Sequence, residues 1–269
     1  MLPAEPTLLK PGTVRFAAVG DLHCSRTSAG TLRPLFAKVA EVADALLLCG
    51  DLTDYGLPEE AKILTDELAA LHGKPVVAVL GNHDVESDQV EEVVRILTQS
   101  GVRVLDGEAC EVHGIGIAGT KGFAGGFGRG ALGPWGERMI KQFVNEAIQE
   151  ALKLESALAK LRTAHRIAML HYAPVVETVV GEPSEIFPFL GTSRLEDPLM
   201  RQPVSVVFHG HAHRGSAQGH TANGIPVFNV ARPLLERLQP DQPAFKVFDL
   251  PAAEDQRQAG GEPAAPHMR

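Results

Sequence analysis

Val14-Arg15-Phe16-Ala17-Ala18-Val19-Gly20-Asp21-Leu22-His23 is a β-branched and aromatic run that stops at a glycine and then presents a carboxylate and an imidazole. The same grammar recurs twice. Ala45 to Cys49 stops at Gly50 and is followed by Asp51-Leu52-Thr53-Asp54, and Val76 to Leu80 stops at Gly81 before Asn82-His83-Asp84. Between these runs, Leu32, Leu35, Phe36, Val39 and Val42 recur with helical spacing, as do Ile63, Leu64, Glu67, Leu68 and Leu71. A third helix is expected from Ser87 to Leu97 with Ser87 as its N-cap. Strand and helix in alternation predict right-handed βαβ crossovers around a parallel-cored sheet. Open sheets of that kind bind ligands just past the carboxyl ends of their strands, where these polar residues fall.

Downstream the rhythm changes. Val102–Leu105 and Glu111–Ala118 are short runs split by Asp106-Gly107, a turn signal that predicts antiparallel pairing. A glycine-rich stretch, Gly119 to Gly136, carries Lys121, Phe123, Phe127, Arg129 and Trp135. One long amphipathic helix follows, with Ile140, Phe143, Val144, Ala147, Ile148, Ala151, Leu154, Leu158 and Leu161 along a single stripe. Arg166–Leu170 and Val204–Phe208 are further buried-strand candidates, the first leading to His171 and the second to Gly210-His211-Ala212-His213. Pro226–Val230 and Phe245–Leu250 close the pattern. The expected organisation is one domain over residues 1–250, with 119–162 as an insertion and 251–269 as a disordered tail rich in Ala, Gly, Pro and Gln.

Composition narrows the class. The 269 residues suffice for one large domain or two small ones, and 44% apolar with 22% charged residues is ordinary for a globular protein. A net charge of −8 without a basic run argues against wrapping long nucleic acid. Three cysteines (Cys24, Cys49, Cys110) form no CxxC pair, so reduced thiols in a cytoplasm are expected. The start has no basic n-region with a long apolar stretch, and no apolar run reaches the ~18 residues of a membrane span. Neither a signal peptide nor a membrane partner is expected.

The strand ends supply Asp21, Asp51, Asn82, His23, His171, His211 and His213 as candidate metal ligands. Carboxylate, amide oxygen and imidazole without thiolate suit Mn, Fe, Zn or Ni with open positions. The i, i+2 spacing of Asp21 with His23, and of His211 with His213, puts both members of each pair on one side of the backbone. Each motif has a plainer reading. Asp21 and Asp51 could cap turns, Thr53 and Asp54 could cap the helix beyond Pro58, and a lone His171 is more often structural. Five strand ends pointing one way decide for a shared site. Within Asn82-His83-Asp84, His83 is free to donate a proton, and Asp84 is expected to accept a hydrogen bond from it and fix its tautomer. His72, His113, His165, His209, His220 and His267 are read as structural or solvated, and Cys24 and Cys49 as small core residues.

The ordered set Asp-x-His, Gly-Asp-x-x-Asp, Gly-Asn-His-Asp, His, Gly-His-x-His, from Val14 to about Val230, resembles the calcineurin-like metallophosphoesterase family, and its bacterial cyclic-nucleotide phosphodiesterase-like branch in particular. The resemblance implies an α/β fold, a four-layer α/β/β/α sandwich with a binuclear site at the strand C-terminal ends. It implies that Asp21, His23, Asp51 and His213 hold one metal, that Asp51 bridges, and that Asn82, His171 and His211 complete the second. His83 would protonate the leaving group. Two transition-metal ions are implied, Mn and/or Fe first, with Zn or Ni as alternatives. The expected activity is hydrolysis of a small phosphate ester. A diester is preferred because the expected pocket loop offers only Lys121 and Arg129 as mobile cations, and a monoester dianion would want more. A phosphomonoesterase on the same site is the alternative, and a non-catalytic binding module a more distant one, since no motif residue is eroded. Lys121, Phe123, Arg129 and Trp135 are expected to border the substrate, against a plainer reading in which the aromatics pack beneath the long helix. The motif core does not choose among substrates, and oligomeric state is not legible.

Overall fold

In a computed structural model that describes residues 12–252, the first three runs form β1 (Thr13–Val19), β2 (Ala45–Cys49) and β3 (Val76–Val79). They lie parallel, and β4 (Val102–Val104) joins β3 in the same sense. The sheet is closed on its other edge by β11 (Lys246–Pro251), antiparallel to β1, giving the order β11-β1-β2-β3-β4. A second sheet has the order β5-β6-β7-β8-β10-β9. Its members are β5 (Glu108–Val112), β6 (Ile115–Gly119), β7 (Arg166–Met169), β8 (Val206–His209), β9 (Gln218–His220) and β10 (Pro226–Asn229). Here β6, β7, β8 and β10 run parallel, with antiparallel strands only at the edges.

The pleat sorts side chains into layers, because successive residues on a strand face opposite ways. Phe16, Ala18, Leu47, Cys49, Val77 and Val79 of the first sheet meet Ile117, Ile167, Met169, Phe208 and Phe228 of the second in a buried core between them. Their neighbours Ala17, Val19, Leu46, Leu48 and Ala78 face outward onto α1 (Arg33–Val42), α2 (Pro58–Leu68) and α3 (Val90–Gln99), which bring Phe36, Val39, Leu64, Val93 and Leu97. On the far side, Ala118, Ala168, Val207 and Val227 pack under α4 (Arg138–Lys160) through Leu154, Ala157 and Leu158. Three shorter helices complete the described chain: α5 (Phe187–Leu190), α6 (Glu196–Arg201) and α7 (Arg232–Leu238). The result is the expected α/β/β/α order, and it turns the carboxyl ends of β1, β2, β3, β7 and β8 toward one place. No helix of the described residues is long and apolar enough to cross a membrane.

Two local expectations are corrected. Asp106-Gly107 does not turn a hairpin between Val102–Leu105 and Glu111–Ala118. β4 stays in the first sheet, and the antiparallel pair is β5 with β6, which turns at His113-Gly114, both at positive φ (51° and 79°). Two successive left-handed residues suit a tight hairpin, whose twist matches its strands. Ser87 does not cap α3, which starts at Val90 after Gln89; its hydroxyl instead donates to the Gly56 carbonyl at 2.6 Å. Of the expected tail, Pro251 belongs to β11, and residues 253–269 lie outside the described residues, as do residues 1–11.

Candidate metal centre

The loops beyond the strands hold one another before they hold anything else. The Asp21 amide donates to the Gly50 carbonyl at 2.9 Å, and the His23 amide to the Asp51 carbonyl at 3.0 Å, so the turns after β1 and β2 run side by side. This geometry puts Asp21, His23, Asp51 and His211 at positive φ (56°, 45°, 48° and 70°). Left-handed backbone costs a non-glycine residue about 1–2 kcal/mol, and such strain concentrates at functional sites. Gly81 is required for packing, because a Cβ there would collide with the Asp51 carboxylate and amide.

Three donor sets result, each with its ligand atoms within 4.8 Å of one another: Asp21, His23 and His213; Asp51, His171 and His211; and His23, Asp54 and His83. Hydrogen bonds decide which ring nitrogens are lone pairs. His23 Nδ1 lies 3.2 Å from the Asp54 carboxylate, which places the proton on Nδ1. Nε2 is left buried with no hydrogen-bond partner. His171 Nδ1 donates to the Cys49 carbonyl at 3.0 Å, so its Nε2 is also a lone pair. That atom faces Asn82 Oδ1 at 3.0 Å and Asp51 Oδ1 at 3.4 Å. No proton lies between His171 Nε2 and either oxygen, and although Asp51 Oδ1 also accepts the His83 amide at 2.9 Å, a cation among the three would satisfy them. Neighbouring ligands about 2.1 Å from one ion would lie about 3 Å apart. Asp51 stands between the sets, with Oδ1 toward His171 and Oδ2 3.8 Å from His23 Nε2. The residues present fit a two-metal centre.

The electrostatics agree. Burial works against ionisation of Asp21, but its bond to His213 at 2.9 Å and the His211 amide outweigh it and hold the carboxyl below its ordinary value. Burial pushes His211 down to about 3, which keeps a neutral imidazole available at neutral pH. His83 goes the other way. Burial opposes its charge, yet the Asp54 carbonyl, 2.7 Å from Nδ1, and the charges of Asp51, Glu86 and Asp54 raise it above the ordinary value.

All seven expected donors are thus brought together, with His83 beside them. Asp84 is a correction. It is fully buried, and its carboxylate accepts from the amides of Leu52, Thr53 and Gly81 and from the Thr53 hydroxyl, at 2.6 to 3.1 Å. It braces the loops after β2 and β3 and does not orient His83. Asp54 does that with its carbonyl while its carboxylate orients His23. Asp54 is the last residue of Gly-Asp-x-x-Asp, a motif that in the sequence gives it no role beyond the plainer one of a cap. Phe189, whose carbonyl is 3.2 Å from His211 Nε2, and Arg237, whose Nη1 is 3.4 Å from the His213 carbonyl, gave no sequence signal.

The expected substrate contacts divide. The Lys121 carbonyl accepts the amides of His171 and Tyr172 at 3.0 and 3.2 Å. Its ammonium lies over the rings of Phe123 and Tyr172 at 5.1 and 5.3 Å, and burial lowers its pKa. Tyr172 in turn packs on His211, ring centres 4.5 Å apart, so Lys121 flanks the site. Phe123 packs on Phe143 of α4 at 4.9 Å, as the plainer reading had it. Arg129 and Trp135 sit on the exposed outer part of the loop, Trp135 63% exposed. Among the described residues no hydrogen bond or ring contact joins either to the donors.

The comparisons with known proteins follow the geometry. A 79-residue stretch is 34% identical to human metallophosphoesterase domain-containing protein 1, covering 29% of this chain and 22% of that protein, and the mouse counterpart matches equally. The match therefore spans about a fifth of these relatives' length. Among solved structures, the phosphopantetheinyl hydrolase PptH from Mycobacterium tuberculosis superposes with a TM-score of 0.61 at 14% identity, over 93% of this chain and 99% of that one. The purple acid phosphatase PPD1 from yellow lupin seeds gives 0.53 at 12% identity, over 84% and 44%. These likenesses are of fold. The sequence profile described as calcineurin-like phosphoesterase matches residues 14–215, three quarters of the sequence, and the chain belongs to that family.

Proposed function

We propose that the protein hydrolyses phosphate esters, small phosphodiesters in preference to monoesters, at the strand-end cluster around Asp51. The observation that carries the reading is the convergence of unprotonated acceptors on both sides of Asp51, with His23 Nε2 buried and unpartnered. The family uses a binuclear divalent-metal site, and the donors found here suit Mn or Fe, with Zn and Ni as alternatives. Asp21, His23, Asp51 and His213 would hold one ion; Asp51, Asn82, His171 and His211 the other. When bound, two such ions lower the pKa of a water and neutralise phosphoryl oxygens. The chain's own residues do the rest. Asp54 fixes the His83 ring through Nδ1 and leaves Nε2 to deliver a proton to the departing alkoxide. Its surroundings raise the His83 pKa above the ordinary value, the direction a proton donor needs. The diester preference is supported by the scarcity of cations: among the described residues, Lys121, whose ammonium lies over Tyr172, and Arg237, which donates to the His213 carbonyl, are the basic side chains whose contacts lead to the donors. The free cysteines support a reducing, cytoplasmic setting.

Turnover of bis-(p-nitrophenyl) phosphate and p-nitrophenyl phosphate, with Mn²⁺ and with chelator, tests the proposal. Mn²⁺-dependent hydrolysis with the higher kcat/KM for the diester is expected. No metal-dependent turnover of either would overturn the hydrolase reading, and an advantage for the monoester would overturn the diester preference.

A further inference from the structure

His211 and His213 stand on a turn beyond β8, and three buried side chains outside the donor set brace it: His209, Thr178 and Asn229. His209 Nδ1 lies 2.8 Å from the Gly210 carbonyl. A carbonyl only accepts, so Nδ1 carries the proton and Nε2 the lone pair. Thr178 Oγ1, 2.8 Å from that Nε2, is therefore the donor to it; the Val175 carbonyl competes for the same proton at 3.1 Å. The other side of the Gly210–His211 peptide is its amide, which donates to both Asp21 oxygens at 3.0 Å. The peptide is thus gripped on its carbonyl side by His209 and on its amide side by a metal-ligand candidate.

Asn229 grips the Ala212–His213 peptide. Its Nδ2 donates to the Ala212 carbonyl at 2.8 Å, and its Oδ1 accepts from the Ala231 amide at 3.1 Å. Ala231 bridges to Gly20, the residue before Asp21. The Thr178 carbonyl closes the circuit, accepting from the Ser216 amide at 3.1 Å and from Asn229 Nδ2 at 3.4 Å. Between these grips His211 is held at φ 70°, a conformation a free histidine would leave.

We propose that Thr178, His209 and Asn229 are positioning residues that lock the His211-Ala212-His213 turn against Asp21, and so set the affinity of the metal centre, to which the turn contributes one histidine on each side of Asp51. The inference deepens the metal-centre reading, and its test is binding rather than turnover. Partners of metal ligands typically account for 10–100-fold in affinity. Thr178→Val keeps the shape and removes the donor; Thr178→Ser restores it. Mn²⁺ titration followed by electron paramagnetic resonance, with Tm measured in parallel, should show Mn²⁺ binding weakened about 10–100-fold in Thr178→Val and recovered in Thr178→Ser. A lower Tm with both affinities unchanged would overturn the proposal. If Thr178→Val does not fold, Asn229→Ser, which withdraws the donor from the Ala212 carbonyl, should weaken Mn²⁺ binding likewise, and unchanged affinity in that variant overturns it equally. Two Mn²⁺ bound without phosphoester turnover would sink the proposed function and leave this inference standing.

Discussion

Asp54 serves two histidines at once, His23 through its carboxylate and His83 through its carbonyl. The two jobs separate by mutation. Asp54→Ala removes the carboxylate and keeps the carbonyl, so metal affinity should fall about 10–100-fold while the His83 bond survives; unchanged affinity by isothermal titration would contradict the assignment. His83→Ala should do the reverse, leaving metal content intact and lowering kcat about 10²–10⁴-fold, the usual worth of general acid–base catalysis. The loss should be smaller for nitrophenol esters than for alkyl esters, whose leaving groups need the proton more. Because its surroundings raise the His83 pKa, the donor form persists to higher pH than in a free histidine. Wild-type rates should decline as pH rises through that value, and His83→Ala should lose this alkaline limb. The donors were legible because each follows a strand that stops at or beside a glycine. The partner of Asp84 was not, since neighbours in a 3₁₀ turn point about 120° apart, and Asp84 points into the core.

At the scale of elements, the long helix α4 reaches the site through Glu150. This buried carboxylate accepts from the Thr120 hydroxyl at 2.6 Å and the Gly122 amide at 2.8 Å, and pairs with Lys153 at 2.8 Å. Between those two anchors lies Lys121, whose carbonyl holds the amide of His171. Glu150→Ala strands buried donors and should cost about 2–3 kcal/mol, read as a lower denaturant midpoint; a midpoint equal to wild type would show that the insertion is not fastened this way. The parallel strands were legible from apolar runs buried on both faces. The hairpin was misplaced because Asp106-Gly107 looks like a turn, whereas it carries the chain from one sheet to the other. The real turn, His113-Gly114, hides inside a run read as one strand. β9 is three residues long and carries no apolar pattern, so only pairing with β10 defines it.

Across the whole molecule, the candidate site lies over the seam between the sheets. Asp21, His23, Asp51 and Asn82 come from the first sheet; His171, His211 and His213 come from the second. The core between the sheets lies beneath and does not depend on the donors. Chelation should therefore lower Tm without changing the far-ultraviolet circular dichroism, and added Mn²⁺ should raise it again. The stabilisation should approach about 2.7 kcal/mol at a hundredfold excess over Kd; a Tm indifferent to metal would mean that no ion joins the sheets.

The central claim is that Asp51 stands between two ions held by donors from both sheets. Anomalous diffraction at the manganese edge from crystals grown with Mn²⁺ tests it most directly. Two peaks are expected, one among Asp21, His23 and His213 and one among Asn82, His171 and His211, each against an oxygen of Asp51, with both lost in Asp51→Asn. A single peak, or two peaks that persist in Asp51→Asn, would contradict it.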